Sequence, residues 1–217
     1  MTQSVKDQRK QHEADQRRKS IIQVVRKLIK TGGLGEISLR KVAELAGFST
    51  TVVYSLFEDK ATLISQAMTE DLLELTQTMR RASEGRATTQ DRLRAMARAY
   101  VEFGLQHPDE YAFVFMQKRP HAPNEVAHVQ HGDPAEDPYA FSRSLFAQWA
   151  ATGEVSGDEL DIDLMTQIYW EGIHGFTARQ LVMGADDPWL PQVPNERHLN
   201  TLIEVLLTGL VQQFAPR

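Results

Sequence analysis

Between residues 38 and 60 the chain sets small hydroxyl side chains, cations and one aromatic ring at spacings suited to reading a nucleic-acid duplex: Ser38, Arg40, Lys41, Ser49, Thr50, Thr51, Tyr54, Ser55 and Lys60. Hydroxyls exchange hydrogen bonds with base edges and phosphate oxygens, a threonine methyl can touch the thymine methyl, and Arg and Lys neutralise phosphate. Such groups need a rigid support, and the apolar residues among them supply one. Leu39, Val42, Ala43 and Ala46 recur at i, i+3, i+4 and i+7, one face of a helix, with Arg40, Lys41 and Glu44 off it. Ser38 stands where an N-cap belongs, and Gly47 where a helix stops and the chain needs positive φ. Ser49 caps a second helix over 50–56, held to the first by Val53 and Phe57. Two short helices joined by a tight glycine turn make a helix-turn-helix, although spacing alone also admits an ordinary helical hairpin.

The stretch from Ser38 to Lys60 resembles the signature of the TetR family of transcriptional regulators. Its A-x-x-A-G-hydrophobic-S core is Ala43, Ala46, Gly47, Phe48 and Ser49, followed by Tyr54, Phe57 and Lys60, the last opening a fourth helix. Leu56 departs from the pattern, since members often carry histidine there, so a phosphate contact from that position is lacking. The resemblance implies an all-α protein, a three-helix head with the helix-turn-helix on a larger helical body. Residues 1–14 would be a flexible N-terminal arm, 15–60 the DNA-binding domain and 61–217 the ligand-binding and dimerisation domain. It further implies a homodimer on a near-palindromic double-stranded operator, a small-molecule effector, repression as the mode of action, and no cofactor or catalytic residue. Thr50 and Thr51 are expected at base edges, Arg40 at base or phosphate, Tyr54 and Lys60 on the backbone.

Charge distribution agrees with that division. The net charge is -5. Residues 1–60 nevertheless hold twelve Lys or Arg against seven Asp or Glu, +5, which leaves -10 for the rest. A basic head on an acidic body turns the head toward phosphate. Cysteine is absent, which removes disulfides and thiolate metal sites. The first nineteen residues have no apolar core and no later run is long enough to span a membrane, so a cytoplasmic protein is expected.

The remaining pattern is helical. Ile21, Ile22, Val25, Leu28 and Ile29 stripe a first helix that ends at Gly32 and Gly33, closing the head. A fourth helix begins near Asp59. Thr88 with Asp91 starts a fifth, striped by Leu93, Met96, Ala97, Tyr100 and Gly104, and Pro108 opens a sixth. Residues 118–136 read as a long surface loop. Asp137 and Pro138 begin a seventh helix, the eighth covers about 158–183, and the last runs from an Asn195 cap to Phe214. That last helix carries an apolar band wide enough for two contacts, one with its own body and one with a second copy. Leu199, Leu202, Ile203, Leu206 and Leu210 are the expected dimer residues. A central helix of a monomer would show the same band.

Helices five to eight offer Met96, Tyr100, Phe103, Tyr111, Phe115, Phe146, Trp149 and Trp170 as the lining of a cleft for a hydrophobic or aromatic effector, with His174 as its polar group. Trp170 and His174 share a helix face, and the run Trp170 to Gly175 is similar to the W-x-x-x-H-G element of one TetR subfamily. A structural, hydrogen-bonded role for His174, and core packing for the aromatics, are the competing readings. Two other functions stay open: a DNA-binding architectural protein without an effector, and a metal-dependent enzyme using His121, His128 and His131 with Glu125 and Asp133. The histidine spacing lacks helical support, and no phosphate loop, G-x-S-x-G elbow or cysteine nucleophile is present.

Overall fold

The computed structural model describes residues 5–116, 132–183, 188–191 and 193–216. Among these, regular structure is helical: α1 (Val5–Gly32), α2 (Leu39–Ala46), α3 (Thr50–Leu56), α4 (Lys60–Ser83), α5 (Thr89–Gln106), α6 (Pro108–Phe115), α7 (Pro138–Ala151), α8 (Glu159–Met183) and α9 (Asn195–Gln213), with a 3-10 turn at Leu34–Glu36. They form two compact units, one up to Glu70 and the other from Asp71 onward.

In the first unit α1 packs on α2 and α3, and α2 on α3. Ile21, Val25, Val42, Val53 and Phe57 are its interior. This unit continues into the first turns of α4, ten residues beyond the Lys60 limit read from sequence, and Arg26 pairs with Glu70 at 3.1 Å. The arm expected over 1–14 is, from Val5, part of α1. Pairs at i,i+4, Arg9 with Glu13 and Gln11 with Asp15, both at 3.2 Å, support these turns.

In the second unit α8 lies against α5, α7 and α9, and α5 also meets α6, α7 and α9. The helices start where the sequence supplies caps. Thr88 Oγ1 accepts from Asp91 N at 3.0 Å, Asp137 accepts from Tyr139 N and Ala140 N, and Asp158 Oδ1 accepts from Asp161 N at 3.0 Å. Asn195 is a correction: it is the first residue of α9 rather than its cap, which is Pro194 and offers no side-chain bond. The Asn195 amide instead accepts from Gln180 at 2.5 Å. Two glycines set close approaches. A Cβ at Gly104 would lie 2.5 Å from Thr177 Cγ2, and one at Gly172 would lie 2.6 Å from Leu206 Cδ1, so α5 meets α8, and α8 meets α9, nearly backbone to side chain. The loop expected over 118–136 lies, up to His131, outside the described residues, as do His121, Glu125 and His128.

Candidate nucleic-acid interface and aromatic site

The two helices of the reading motif are shaped by local hydrogen bonds. Ser38 Oγ accepts from Lys41 N at 3.2 Å and Ser49 Oγ accepts from Val52 N at 3.3 Å, each closing an orphan donor at a helix start. Gly47 takes φ 72°, and its neighbour Phe48 N donates back to Ala43 O at 3.0 Å. Ser55 Oγ donates to Val52 O at 2.8 Å. The three serines assigned to DNA are therefore already engaged in building the helices. Arg40, Thr50, Thr51 and Tyr54 stand exposed, Tyr54 at 58 %.

Two of the expected phosphate-binding cations have structural partners. Lys41 forms a close ion pair with Glu36, which holds that carboxyl below the usual carboxylate range. Lys60 Nζ donates to Leu34 O at 3.0 Å and ties the start of α4 to the turn after α1. An ammonium has three donors, so one bond of this kind leaves capacity for a phosphate. Sequence reasoning missed Arg18. Its Nη2 donates to Leu56 O, the last residue of α3, at 3.4 Å, and its guanidinium lies 5.6 Å from the centroid of the Phe57 ring. A contact across 38 residues has no short-range signal in the sequence.

In the second unit α5, α6 and α8 bring Tyr100, Tyr111, Phe115, Trp170 and His174 together. Trp170 stacks on His174 with ring centroids 4.9 Å apart and planes at 17°. Phe115 contacts the rings of Tyr100, Tyr111, Trp170 and His174 at 5.7, 5.0, 6.3 and 6.1 Å. Through the cluster runs a chain of polar contacts: Trp170 Nε1 to Tyr100 Oη at 3.1 Å, Tyr100 Oη to Tyr111 Oη at 2.9 Å, and Tyr111 Oη to His174 Nδ1 at 2.6 Å.

The direction of that chain follows from counting protons. Burial raises both phenols, Tyr111 to about 12 and Tyr100 further, so each hydroxyl keeps its proton. Trp170 can only donate. If Tyr100 then donates to Tyr111 and Tyr111 to His174 Nδ1, every hydroxyl proton is used along the short contacts. The reverse direction leaves the proton of the nearly fully buried Tyr100 only the 3.4 Å approach to an already protonated Nδ1. In that direction His174 Nδ1 accepts and the neutral ring carries its proton on Nε2, while Thr177, which also bonds the Tyr111 hydroxyl, offers Tyr111 a second partner. Burial also lowers the basicity of His174, in the same sense.

The other residues expected to line the cleft lie elsewhere. Met96, Phe146 and Trp149 are fully buried core. Ser142 Oγ donates to Met96 Sδ at 3.2 Å, Phe146 meets Tyr169 edge-on at 5.5 Å, and Trp149 Nε1 donates to Glu154 Oε2 at 3.2 Å. Phe103 pairs with His107 at 4.7 Å. Of the nine residues, five form the aromatic network.

The α9 assignment needs a correction of face. Ile203 and Leu210, expected between two copies, are 1 % and 3 % exposed within their own core, and Leu199, Leu202 and Leu206 pack partly buried against it. The outward face is instead Thr201, Glu204, Val205, Thr208, Gly209 and Gln212, which with Asn200 line an open groove of about 620 Å³. On α8, Leu160, Leu164 and Ile168 point outward at four-residue spacing. Glu204 is held by Arg94 through two bonds of 2.7 and 2.9 Å.

A capped helix-turn-helix in one unit and an all-helical second unit are the make-up of a helical transcription regulator. Residues 93–206, more than half the chain, match the tetracyclin repressor-like C-terminal domain, and the chain belongs to the TetR family of transcription regulators. Solved structures share the fold. A TetR family transcription regulator from Marinobacter aquaeolei VT8 superposes with a TM-score of 0.64 at 16% identity, covering 95% of this chain and 100% of that one. A protein with unknown function from Rhodococcus sp. RHA1 gives 0.66 at 21%, covering 90% and 95%. The fatty acid degradation regulator FadR from Bacillus halodurans gives 0.63 at 15%, covering 89% and 95%. No curated protein matches the sequence. Among the described residues no helix is long and apolar enough to cross a membrane, and no three His, Asp or Glu side chains gather as metal ligands.

Proposed function

We propose that this TetR-family chain is a homodimeric, cytoplasmic repressor that binds a near-palindromic operator and leaves it when a small hydrophobic or aromatic compound binds its body. The observation that carries the DNA part is the exposure of Thr50, Thr51, Arg40 and Tyr54 on helices whose serines already satisfy their own caps. Side chains spared from structural hydrogen bonding can meet base edges at little conformational cost. Two copies would set their reading helices roughly 34 Å apart, one turn of the duplex.

The outward faces of α8 and α9 suit the seam between copies. Leu160, Leu164, Ile168 and Val205 would be covered there, and Gly209 permits close approach of a second helix. The effector wall is assigned to Tyr100, Tyr111, Phe115, Trp170 and His174. A bound compound shifts the molecule off DNA only through a difference in affinity between the two states, typically about 1 to 3 kcal/mol.

The test begins with selecting a duplex from a randomised pool with the purified protein. The selected site should be a near-palindrome bound by a dimer, and Thr50→Ala with Thr51→Ala should relax its sequence preference. A preference unchanged by both substitutions removes α3 as the reading helix. A strictly monomeric protein at micromolar concentration removes the two-half-site arrangement.

A further inference from the structure

α1 is far longer than the head requires. Its apolar stripe begins at Ile21, yet the helix starts at Val5, and from Asp7 to Glu13 every side chain is exposed. Arg18 marks where it leaves the head, bonded to Leu56 O at the C-terminal end of α3 and lying against Phe57. The thirteen residues ahead of that point, at 1.5 Å each, extend about 20 Å, the length of roughly six base pairs.

The extension has one ordered basic face. Arg9, Lys10, Glu13 and Arg17 fall within a third of a helical turn of one another, and Glu13 bridges two of them, to Arg9 Nε at 3.2 Å and to Arg17 Nη2 at 3.9 Å. Asp15 is turned away from this face and paired with Gln11. The arrangement is an array of three cations around one carboxylate, on a helix issuing from the edge of the reading helix.

We propose that the N-terminal turns of α1 are a second DNA-binding element, whose Arg9, Lys10 and Arg17 contact backbone phosphates of the duplex flanking each half-site. This rests on α3 lying in the groove, because Arg18 joins the extension to the end of that helix. Phosphate is the partner by charge and reach: the face offers cations with no apolar anchor, and phosphates repeat along a duplex at a spacing a 20 Å helix can follow. The contact adds affinity and carries no sequence information. Glu13 has a defined role in it. Free in solution it holds Arg9 and Arg17 in place; beside DNA it repels phosphate and competes for the same guanidinium groups.

That role gives the test a sign that a merely structural helix would not show. The probe is the duplex selected by the wild-type protein, prepared with long flanks and again trimmed to the two half-sites. Arg9→Ala with Lys10→Ala should lower affinity for the flanked duplex on the order of a thousandfold at 0.1 M salt. It should also flatten the slope of log K against log salt by roughly three to four for a dimer, at about 0.9 per phosphate contact. Glu13→Gln should strengthen binding about threefold and steepen that slope. Both effects should vanish on the trimmed duplex, and the selected sequence should stay the same. All these positions are exposed, so the variants should fold. Equal affinity and slope for wild type and all variants on the flanked duplex would overturn the proposal, as would weaker binding by Glu13→Gln, the result of simply fraying the helix. Failure of the reading-helix assignment looks different: the wild type would then select no duplex, or Thr50→Ala and Thr51→Ala would leave its preference intact.

Discussion

The head and the aromatic end of the body spend their polar atoms in opposite ways. In α2 and α3 the serines satisfy the helix starts within three residues, and the groups that remain, Arg40, Thr50, Thr51 and Tyr54, face solvent. In the body Trp170, Tyr100, Tyr111 and His174 satisfy each other across α5, α6 and α8. A surface whose scaffold is locally complete has side chains to give to a partner. A network that closes on itself must be opened, or added to at the one ring nitrogen it leaves over, before it can do the same. The contrast implies that substitutions in α3 change what is bound, and substitutions in the network change how stable the body is.

The largest break in the comparison would come from the body's interior. Phe146→Ala removes a fully buried ring that meets both Trp149 and Tyr169, and should cost about 3 to 5 kcal/mol in urea unfolding followed by near-ultraviolet circular dichroism. At the head, Thr50→Ala or Thr51→Ala should leave unfolding unchanged while reducing discrimination against a mismatched base pair by about 1 to 3 kcal/mol, read in competition binding. Loss of stability from either would mean that these residues serve the scaffold.

Tyr111→Phe tests whether the phenols of the network depend on each other. Removing that hydroxyl leaves the buried Tyr100 proton only the 3.4 Å approach to His174 Nδ1 in place of two short bonds, which should cost about 1 to 3 kcal/mol. A cost near zero would mean that the phenols do not depend on each other.

The smallest expected effect is the dependence on pH. Burial lowers the His174 pKa from 6.5, so the folded state resists protonation. Its contribution is present above the unfolded value, about 6.5, and is lost as pH falls through the lower folded value. Tyr111 acts in the opposite sense. Its pKa is raised to about 12, so stability present below about pH 10 is lost between there and about pH 12. Denaturant midpoints across pH for wild type and His174→Gln measure the acid limb, which should shrink in the variant.

The same contrast explains what was legible beforehand. Ser38, Ser49 and Thr88 act within three residues, and the caps expected of them are those observed, while Asp137 stands where a helix start was expected. Gly47 was legible because positive φ at a helix end favours one residue type. Arg18 with Leu56 and Tyr111 with His174 were not, because partners 38 and 63 residues apart meet only after the helices pack. α9 lies between these cases. Its apolar band was evident, but a band that wide does not say which edge is inside, and Ile203 and Leu210 turned inward while Val205 and Gly209 turned out. Asn195 shows the limit of capping rules: Pro194 precedes it and the helix begins one residue early.

Gly172 has a mechanical consequence. It sits between Trp170 and His174 in sequence but on the far side of α8, seated against Leu206 of α9, while Thr177, just over one turn on, is pressed against Gly104 of α5. No slack separates these helices, and packed interiors are too stiff to absorb a shift. α8 is thus seated against α5 and α9 at two points where any side chain larger than glycine would force the neighbouring helix aside.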